Sequence, residues 1–239
     1  MSSFLKQLRK ENLSSNSLRA YRNDLQVFLG WYESSPEALT AVDVMNYWRH
    51  LTREGAQQAT INRKLQTLRR FCRWTERGGK LQFNPAVELK LARPLRDLRA
   101  VELTEPEVNA LLRAAGQSRH GLAKRNYALL QILLQAGLLV SEVAALRIAD
   151  AVLRERTGSL KVRRGEGGEP REVPLNTAVR RALKAYLETR KPFRPEDPLI
   201  TSETGAAISI RAIQSVVAEL ARRAKITRIR VTSQSMRHT

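Results

Sequence analysis

The sequence has one cysteine, Cys72, and three histidines in 239 residues. A single thiol excludes an internal disulfide, and with so few scattered histidines it cannot complete a thiolate metal site, so no metal or cofactor is expected. Cys72 itself reads as a small core residue. No run of about eighteen apolar residues could span a bilayer, and no basic-then-apolar leader ends in small residues. Acidic residues are also scarce: 23 Asp and Glu stand against 42 Lys and Arg, for a formal charge of +19 and a pI near 11.1. Such a field selects a polyphosphate. An acidic membrane would call for an apolar anchor or a strongly amphipathic terminal helix beside the charge, and neither is visible. The expected partner is nucleic acid rather than a membrane, and the expected location is the cytoplasm, associated with the nucleoid.

The length suits two ordinary domains. Between Asn84 and Leu103 the apolar periodicity breaks into Asn84-Pro85, then a stretch with Arg93-Pro94, Arg96 and Arg99, as in an exposed basic linker. Periodicity resumes at Thr104-Glu105-Pro106-Glu107, where Thr104 can cap a helix, Pro106 suits its first turn and Glu107 can bond back to the cap. The expected division is a helical domain over 1–91, a basic linker over 92–103 and a second domain over 104–239.

In the first domain Leu18, Tyr21, Leu25, Phe28, Leu29 and Tyr32 recur at the spacing of one helix face, with Arg19, Arg22, Asn23 and Gln26 opposite. A second helix is expected over 41–53, with Gly55 as its stop, and a third over 59–77. The third buries Ile61, Leu65, Leu68 and Cys72, while Arg63, Arg70 and Arg77, seven residues apart, form a stripe that Lys64, Arg69 and Arg73 broaden. A charged stripe taken alone is usually a solvated face. Here so few acids intervene that phosphate contacts are the better reading. Phosphate contacts fix register without reading sequence. Gln57, Gln58 and Asn62 are the candidates for adenine edges, because amides can pair there bidentately.

The second domain mixes element types. A mostly apolar helix runs through Tyr127, Leu129, Leu130, Ile132, Leu133 and Leu134, with Gly137 placed to end it. Ser141 can cap a short helix containing Val143, Leu146 and Ile148. Leu160 to Arg163 and Arg171 to Leu175 read as two strands around a Gly-rich turn, and helices follow over 177–190 and 210–224. The expected fold class is mainly α with a small antiparallel β-sheet.

Five segments occur in an order that resembles the tyrosine recombinase, or phage integrase, family. They are Ser17-Leu18-Arg19-Ala20-Tyr21-Arg22-Asn23-Asp24-Leu25, Ala59-Thr60-Ile61-Asn62-Arg63-Lys64-Leu65, Asn84-Pro85-Ala86, Leu103-Thr104-Glu105-Pro106-Glu107-Val108, and Gly137-Leu138-Leu139-Val140-Ser141-Glu142. Each is weak alone, and the ordered series across essentially the whole chain is specific. The resemblance implies a helical core-binding (SAM-like) domain followed by a catalytic-type domain, the two gripping opposite sides of double-stranded DNA. It also implies site-specific strand exchange through a covalent phosphotyrosine, without a metal, in company with other recombinase protomers. That chemistry needs positive donors around a phosphate whose transition state gains negative charge, a general acid and a tyrosine nucleophile.

Carried over residue by residue, the resemblance meets three departures. Leu139 stands where the family has its first arginine, and a leucine offers a phosphate neither charge nor hydrogen bond. Glu166, in Gly165-Glu166-Gly167, stands where the family usually has a lysine acting as general acid. Gln234 replaces the histidine that opens the second arginine box, and an amide cannot shuttle a proton near neutral pH. Arg237 matches, with His238 beside it. Lys161, Arg163, Arg164 and Arg147 lie close enough in sequence to be considered as compensation. The tyrosines Tyr21, Tyr32, Tyr47, Tyr127 and Tyr186 all precede Arg237, whereas the family's nucleophile lies some tens of residues beyond that arginine.

The resulting expectation is a catalytically degenerate, C-terminally truncated family member that binds duplex DNA through Arg63, Lys64, Arg70, Arg73, Arg77, Arg163 and Arg164. It would take part in recombination or integration of a mobile element without cleaving strands itself. Two alternatives stand beside it: a piece of an active integrase whose tyrosine lies beyond Thr239, and a DNA-binding transcriptional repressor.

Overall fold

The computed structural model describes residues 1–11, 13, 15–89, 91, 102–117, 121–165 and 169–237, with Ser15, Gln234 and Arg237 described by backbone alone. Most of the expected linker, together with Glu166 and His238, lies outside the described residues. The chain divides into two compact units, Met1–Arg96 and Asp97–Thr239.

The first unit is helical: α1 (Ser2–Lys10), α2 (Ser15–Tyr32), α3 (Ala41–Arg53) and α4 (Gln58–Arg77). Thr40 and Asp43 bond reciprocally at the start of α3, with Asp43 N donating to Thr40 Oγ1 at 3.3 Å and Thr40 N to Asp43 Oδ2 at 2.9 Å. Gly55, at φ +70°, lets the chain reverse after it. Leu25, Phe28, Tyr47, Leu65 and Leu68 form the core, and Phe28 meets the Tyr47 ring edge-on at 5.0 Å.

The sequence reading placed no helix before Ser17, so α1 corrects the expectation that no amphipathic terminal helix is present. Its apolar face is spent internally. Phe4, Leu5 and Leu8 are buried, and Phe4 packs on Phe71 at 5.4 Å and Trp74 at 5.6 Å, both on α4. Burying one such side chain stabilises by about 1.5–3 kcal/mol, so Phe4→Ala would remove one of the three buried contacts that hold α1.

The second unit contains α5 (Glu105–Gly116), α6 (Leu122–Gln135), α7 (Val140–Ala145), β1 (Ala151–Leu153), β2 (Gly158–Val162), β3 (Arg171–Pro174), α8 (Thr177–Glu188), α9 (Ile210–Arg223) and α10 (Ser233–Arg237). Leu129, Leu130, Ile132 and Leu133 of α6 are fully buried, which fits a helix wrapped by α5, α8 and α10. The antiparallel sheet has the order β1-β2-β3, with Ala151 opposite Leu160 and Val162 opposite Arg171.

Two local expectations are corrected. Ser141 lies inside α7 rather than capping it, because the Glu142 carboxylate turns back and accepts the Leu139 N–H at 2.8 Å. Leu146 and Ile148 lie beyond the helix, Ile148 opening a 3-10 turn that leads into β1. Among the described residues no helix is long and apolar enough to cross a membrane.

Candidate nucleic-acid interface

Burial divides α4 along its length. Ile61, Leu65, Leu68, Phe71 and Cys72 face the core. Arg63, Gln66, Arg70, Arg73 and Arg77 follow one another on the outer face, Arg70 half-buried. Cys72 is a core residue, its thiol pushed up to about 12 by burial, so little thiolate is available at neutral pH.

The arginines of this helix differ in what holds them. Arg63 bonds the carboxylate of Asp24 on α2, which is 2% exposed. Thr67 Oγ1 donates to the same oxygen at 2.9 Å, and Lys64 Nζ lies 3.8 Å from the other. Arg70 bonds Glu11 with one terminal nitrogen and donates to the Tyr21 hydroxyl with the other at 3.0 Å. Its guanidinium carbon lies 5.4 Å from the Tyr21 ring centroid. Arg69 points elsewhere, donating to the Ala86 carbonyl at 2.9 Å and to that of Leu89, so it clamps the exit from α4 instead of broadening the stripe. Arg73 and Arg77 make no ion pair among the described residues. Of the three amides considered for base contacts, Asn62 is buried and accepts from Gln58 Nε2 at 3.1 Å, which leaves Gln57 and Gln58 on the surface.

In the second unit, half-buried Leu139 precedes α7 and is tied to the sheet through a carboxylate. Glu142, which accepts the Leu139 N–H, also receives both terminal nitrogens of Arg171, at 2.5 and 2.8 Å. Gly165 lies against that guanidinium. Its N–H donates to the Glu169 carbonyl at 2.8 Å, and a Cβ at this position would overlap Arg171 Nη1 and lie 2.8 Å from that carbonyl oxygen. Glu142 and Arg171 therefore link position 139 to the foot of the β2–β3 turn in which Glu166 follows.

Beside this link, a cavity of about 260 Å³ is lined by Glu142, Arg147, Asp150, Lys161, Arg163 and Arg164, among others. Buried Asp150 accepts from the Arg147 main chain and from Arg163 Nε, each at 2.9 Å. The side chains of Arg147, Lys161 and Arg164 make no ion pair among the described residues. Arg147 and three cations of the β2 end, Lys161, Arg163 and Arg164, thus converge on one concavity, with Arg163 anchored to Asp150.

The segment carrying Gln234 and Arg237 is fastened at two points. Arg228 donates to both Glu107 oxygens, at 3.0 and 2.7 Å, and to the Glu102 carbonyl at 2.8 Å. Hydrogen bonds from Arg228 and from the Thr104 N–H pull the Glu107 carboxyl down to about 2. Thr232 Oγ1 then accepts the Ser235 N–H at 3.1 Å, and Met236 inserts into the core of this unit, fixing α10.

Sequence reasoning passed over Asp24, Glu142 and Arg171. Asp24 follows Tyr21 by three on an apolar helix face, which is the pattern of a buried, partnered acid. Glu142 stands three residues after Leu139, the residue that caps α7, and from that position a carboxylate can reach back to the cap.

Family comparisons cover both units. The N-terminal SAM-like domain of phage integrases matches residues 1–79, and the phage integrase family matches residues 102–239. Tyrosine recombinase XerC of Thermodesulfovibrio yellowstonii is 30% identical over 233 residues, spanning 95% of this chain and 75% of that protein. XerD of Listeria innocua is 25% identical over 240 residues, 96% of this chain and 79% of its own. In fold, the chain resembles a lambda integrase(75-356) dimer bound to a COC' core site, with a TM-score of 0.76 at 16% identity over 100% of this chain and 87% of that one. It also resembles XerH bound to its difH substrate, with a TM-score of 0.74 at 18% identity over 100% and 73%. With both units matched in order, and with a relative 30% identical over 95% of its length, this chain belongs to the tyrosine recombinase (phage integrase) family.

Proposed function

We propose that this protein binds duplex DNA at recombination sites, alongside or in competition with active protomers, and does not cleave strands itself. The observation that carries the reading is a pairing of opposites. The outer face of α4 keeps its arginines and the Glu142–Arg171 link keeps the scaffold, while Leu139, Glu166 and Gln234 remove the groups that strand cleavage would use. Each lost oxyanion-type donor costs about 10²–10³ in rate, so two or three together remove useful turnover even if the losses are not additive.

In this reading Arg63, Lys64, Arg70, Arg73 and Arg77 meet phosphates from the first domain, over 1–91, across a linker at 92–103. Arg163 and Arg164 do so from the second, over 104–239, where Arg237 is the surviving phosphate ligand. Arg147 and Lys161 join them through the shared cavity. The XerH and lambda integrase structures are described as complexes with DNA, and a further lambda integrase structure is a tetramer on a Holliday junction. Those descriptions support duplex DNA and other protomers as partners; the ends of a mobile element as sites and the nucleoid as location are part of the proposal itself.

The test has two parts. Selection from a pool of randomised and element-end duplexes at physiological salt should enrich a short inverted repeat, and retention without enrichment would remove the site-specific part of the proposal. A nicked suicide duplex should yield no covalent adduct. An adduct would make the protein a cleaving recombinase.

A further inference from the structure

The arginine face of α4 already holds an anion of the protein's own. Glu11, the residue that ends α1, sets its carboxylate on one terminal nitrogen of Arg70, while Tyr21 accepts from the other and backs the guanidinium with its ring. We propose that Arg70 and Tyr21 form a phosphate subsite for the duplex backbone, and that Glu11 fills it as an internal competitor that DNA must displace. The proposal rests on the DNA-binding reading above.

Carboxylate and phosphate present arginine with the same charged acceptor oxygens, so what binds one is built to bind the other. The orientation of Arg70 is fixed in advance by the Tyr21 hydroxyl and ring, which lowers the ordering cost of a new anion. Surrounding it is a cavity of about 760 Å³ to which Gln66, Arg69, Arg70, Arg73 and Arg77 contribute, and Glu11 is the one acid among its lining residues. Its field favours a polyanion over a single carboxylate.

The comparison with Arg63 shows why Glu11 can be displaced. Asp24 is 2% exposed and receives Thr67 as well as Arg63, so Arg63 meets a phosphate only with donors left over while it stays bonded to Asp24; releasing Asp24 would strand a buried charge. The Glu11 side chain is 40% exposed. Released, it returns to water, and an exposed ion pair of this kind contributes little and is screened by salt. Nor does the fold depend on it, since α1 is held by buried Phe4, Leu5 and Leu8. Two arginines of one face thus differ in kind: Arg63 is fastened to the fold, whereas Arg70 is held by a group that can leave.

The experiment is a double-mutant cycle with a fluorescently labelled duplex, read by anisotropy across a salt series on the full chain. Glu11→Gln should tighten binding about two- to fivefold at low salt, the factor an exposed ion pair can supply, with the gain fading as salt rises. In an Arg70→Ala background the same change should do nearly nothing. Thermal unfolding of Glu11→Gln should match the parent, because its side chain is at the surface. Unchanged binding by Glu11→Gln beside a parent that binds would overturn the competitor. So would an equal gain with and without Arg70, which would mean a general charge effect. If the parent binds no duplex at all, the DNA-binding reading falls and this inference falls with it.

Discussion

Arg171 closes on Glu142 with both terminal nitrogens, around a carboxylate that is 2% exposed and also caps α7 at Leu139. One ion pair therefore sets the relation between the start of α7 and the start of β3, which in turn fixes where position 139 and Arg171 stand. Arg171→Ala leaves that carboxylate buried without its cation. It should destabilise the second unit by about 2–3 kcal/mol, read as a lower urea midpoint. Adding Glu142→Gln should recover part of the loss, since the stranded charge is gone. An unchanged midpoint in the single variant would show that water replaces the guanidinium at no cost.

The arginines of α4 should separate into two kinds under substitution. Arg63→Ala removes the main partner of Asp24 and should lower the stability of the first unit by about 1–2 kcal/mol. Arg73→Ala and Arg77→Ala, with no ion pair among the described residues, should leave stability within about 0.5 kcal/mol. Each should instead lower the slope of log affinity against log salt by about one unit, uniformly across sequences. A wild-type slope in both Arg73 and Arg77 variants would place this face away from DNA.

Acid should loosen the segment that carries Arg237. Glu107 titrates at about 2 instead of the ordinary 4.5, chiefly because Arg228 donates to it. A carboxyl whose folded pKa is depressed contributes its full stability above its unfolded pKa and loses it as the pH falls through the folded value. The Glu107–Arg228 contribution should therefore be complete above about 4.5 and decline toward 2. Glu107→Gln should flatten the stability profile across that window while changing its shape little near neutrality. A parallel acid limb in the variant would assign the loss to other carboxylates.

The parts legible in the sequence were those in which periodicity and a cap agree. α3 runs from Ala41 to Arg53 as expected, and Glu107 bonds back to Thr104 at the start of α5. α1 was not legible because its nine residues carry only about two and a half turns of pattern and its apolar partners, Phe71 and Trp74, lie on a helix far along the sequence. β1 has three residues, too few for alternation to register. The arginine stripe could be read as a face, but its division could not. Whether an arginine meets Asp24, the Ala86 carbonyl or solvent depends on contacts between elements, which spacing within one helix does not encode. The same limit placed Asn62 among surface amides when its side chain is buried beside Gln58.

Position 139 offers the sharpest test of whether the second unit still meets a phosphate. Leu139 is half-buried at the start of α7, with its backbone extended at φ −68° and ψ 148° and its N–H already committed to Glu142. That bond is made by the main chain, so a different side chain at this position leaves its donor in place. If the family geometry persists, Leu139→Arg puts a guanidinium on the backbone phosphate and should steepen the salt dependence of duplex binding by about 0.9. Affinity should rise most at low salt, where the released counterion counts most. The gain should survive in Arg73→Ala, because the two arginines belong to different units and have no shared partner. An unchanged slope, with the variant folded, would mean that this unit no longer presents the start of α7 to DNA and that binding rests on α4 alone.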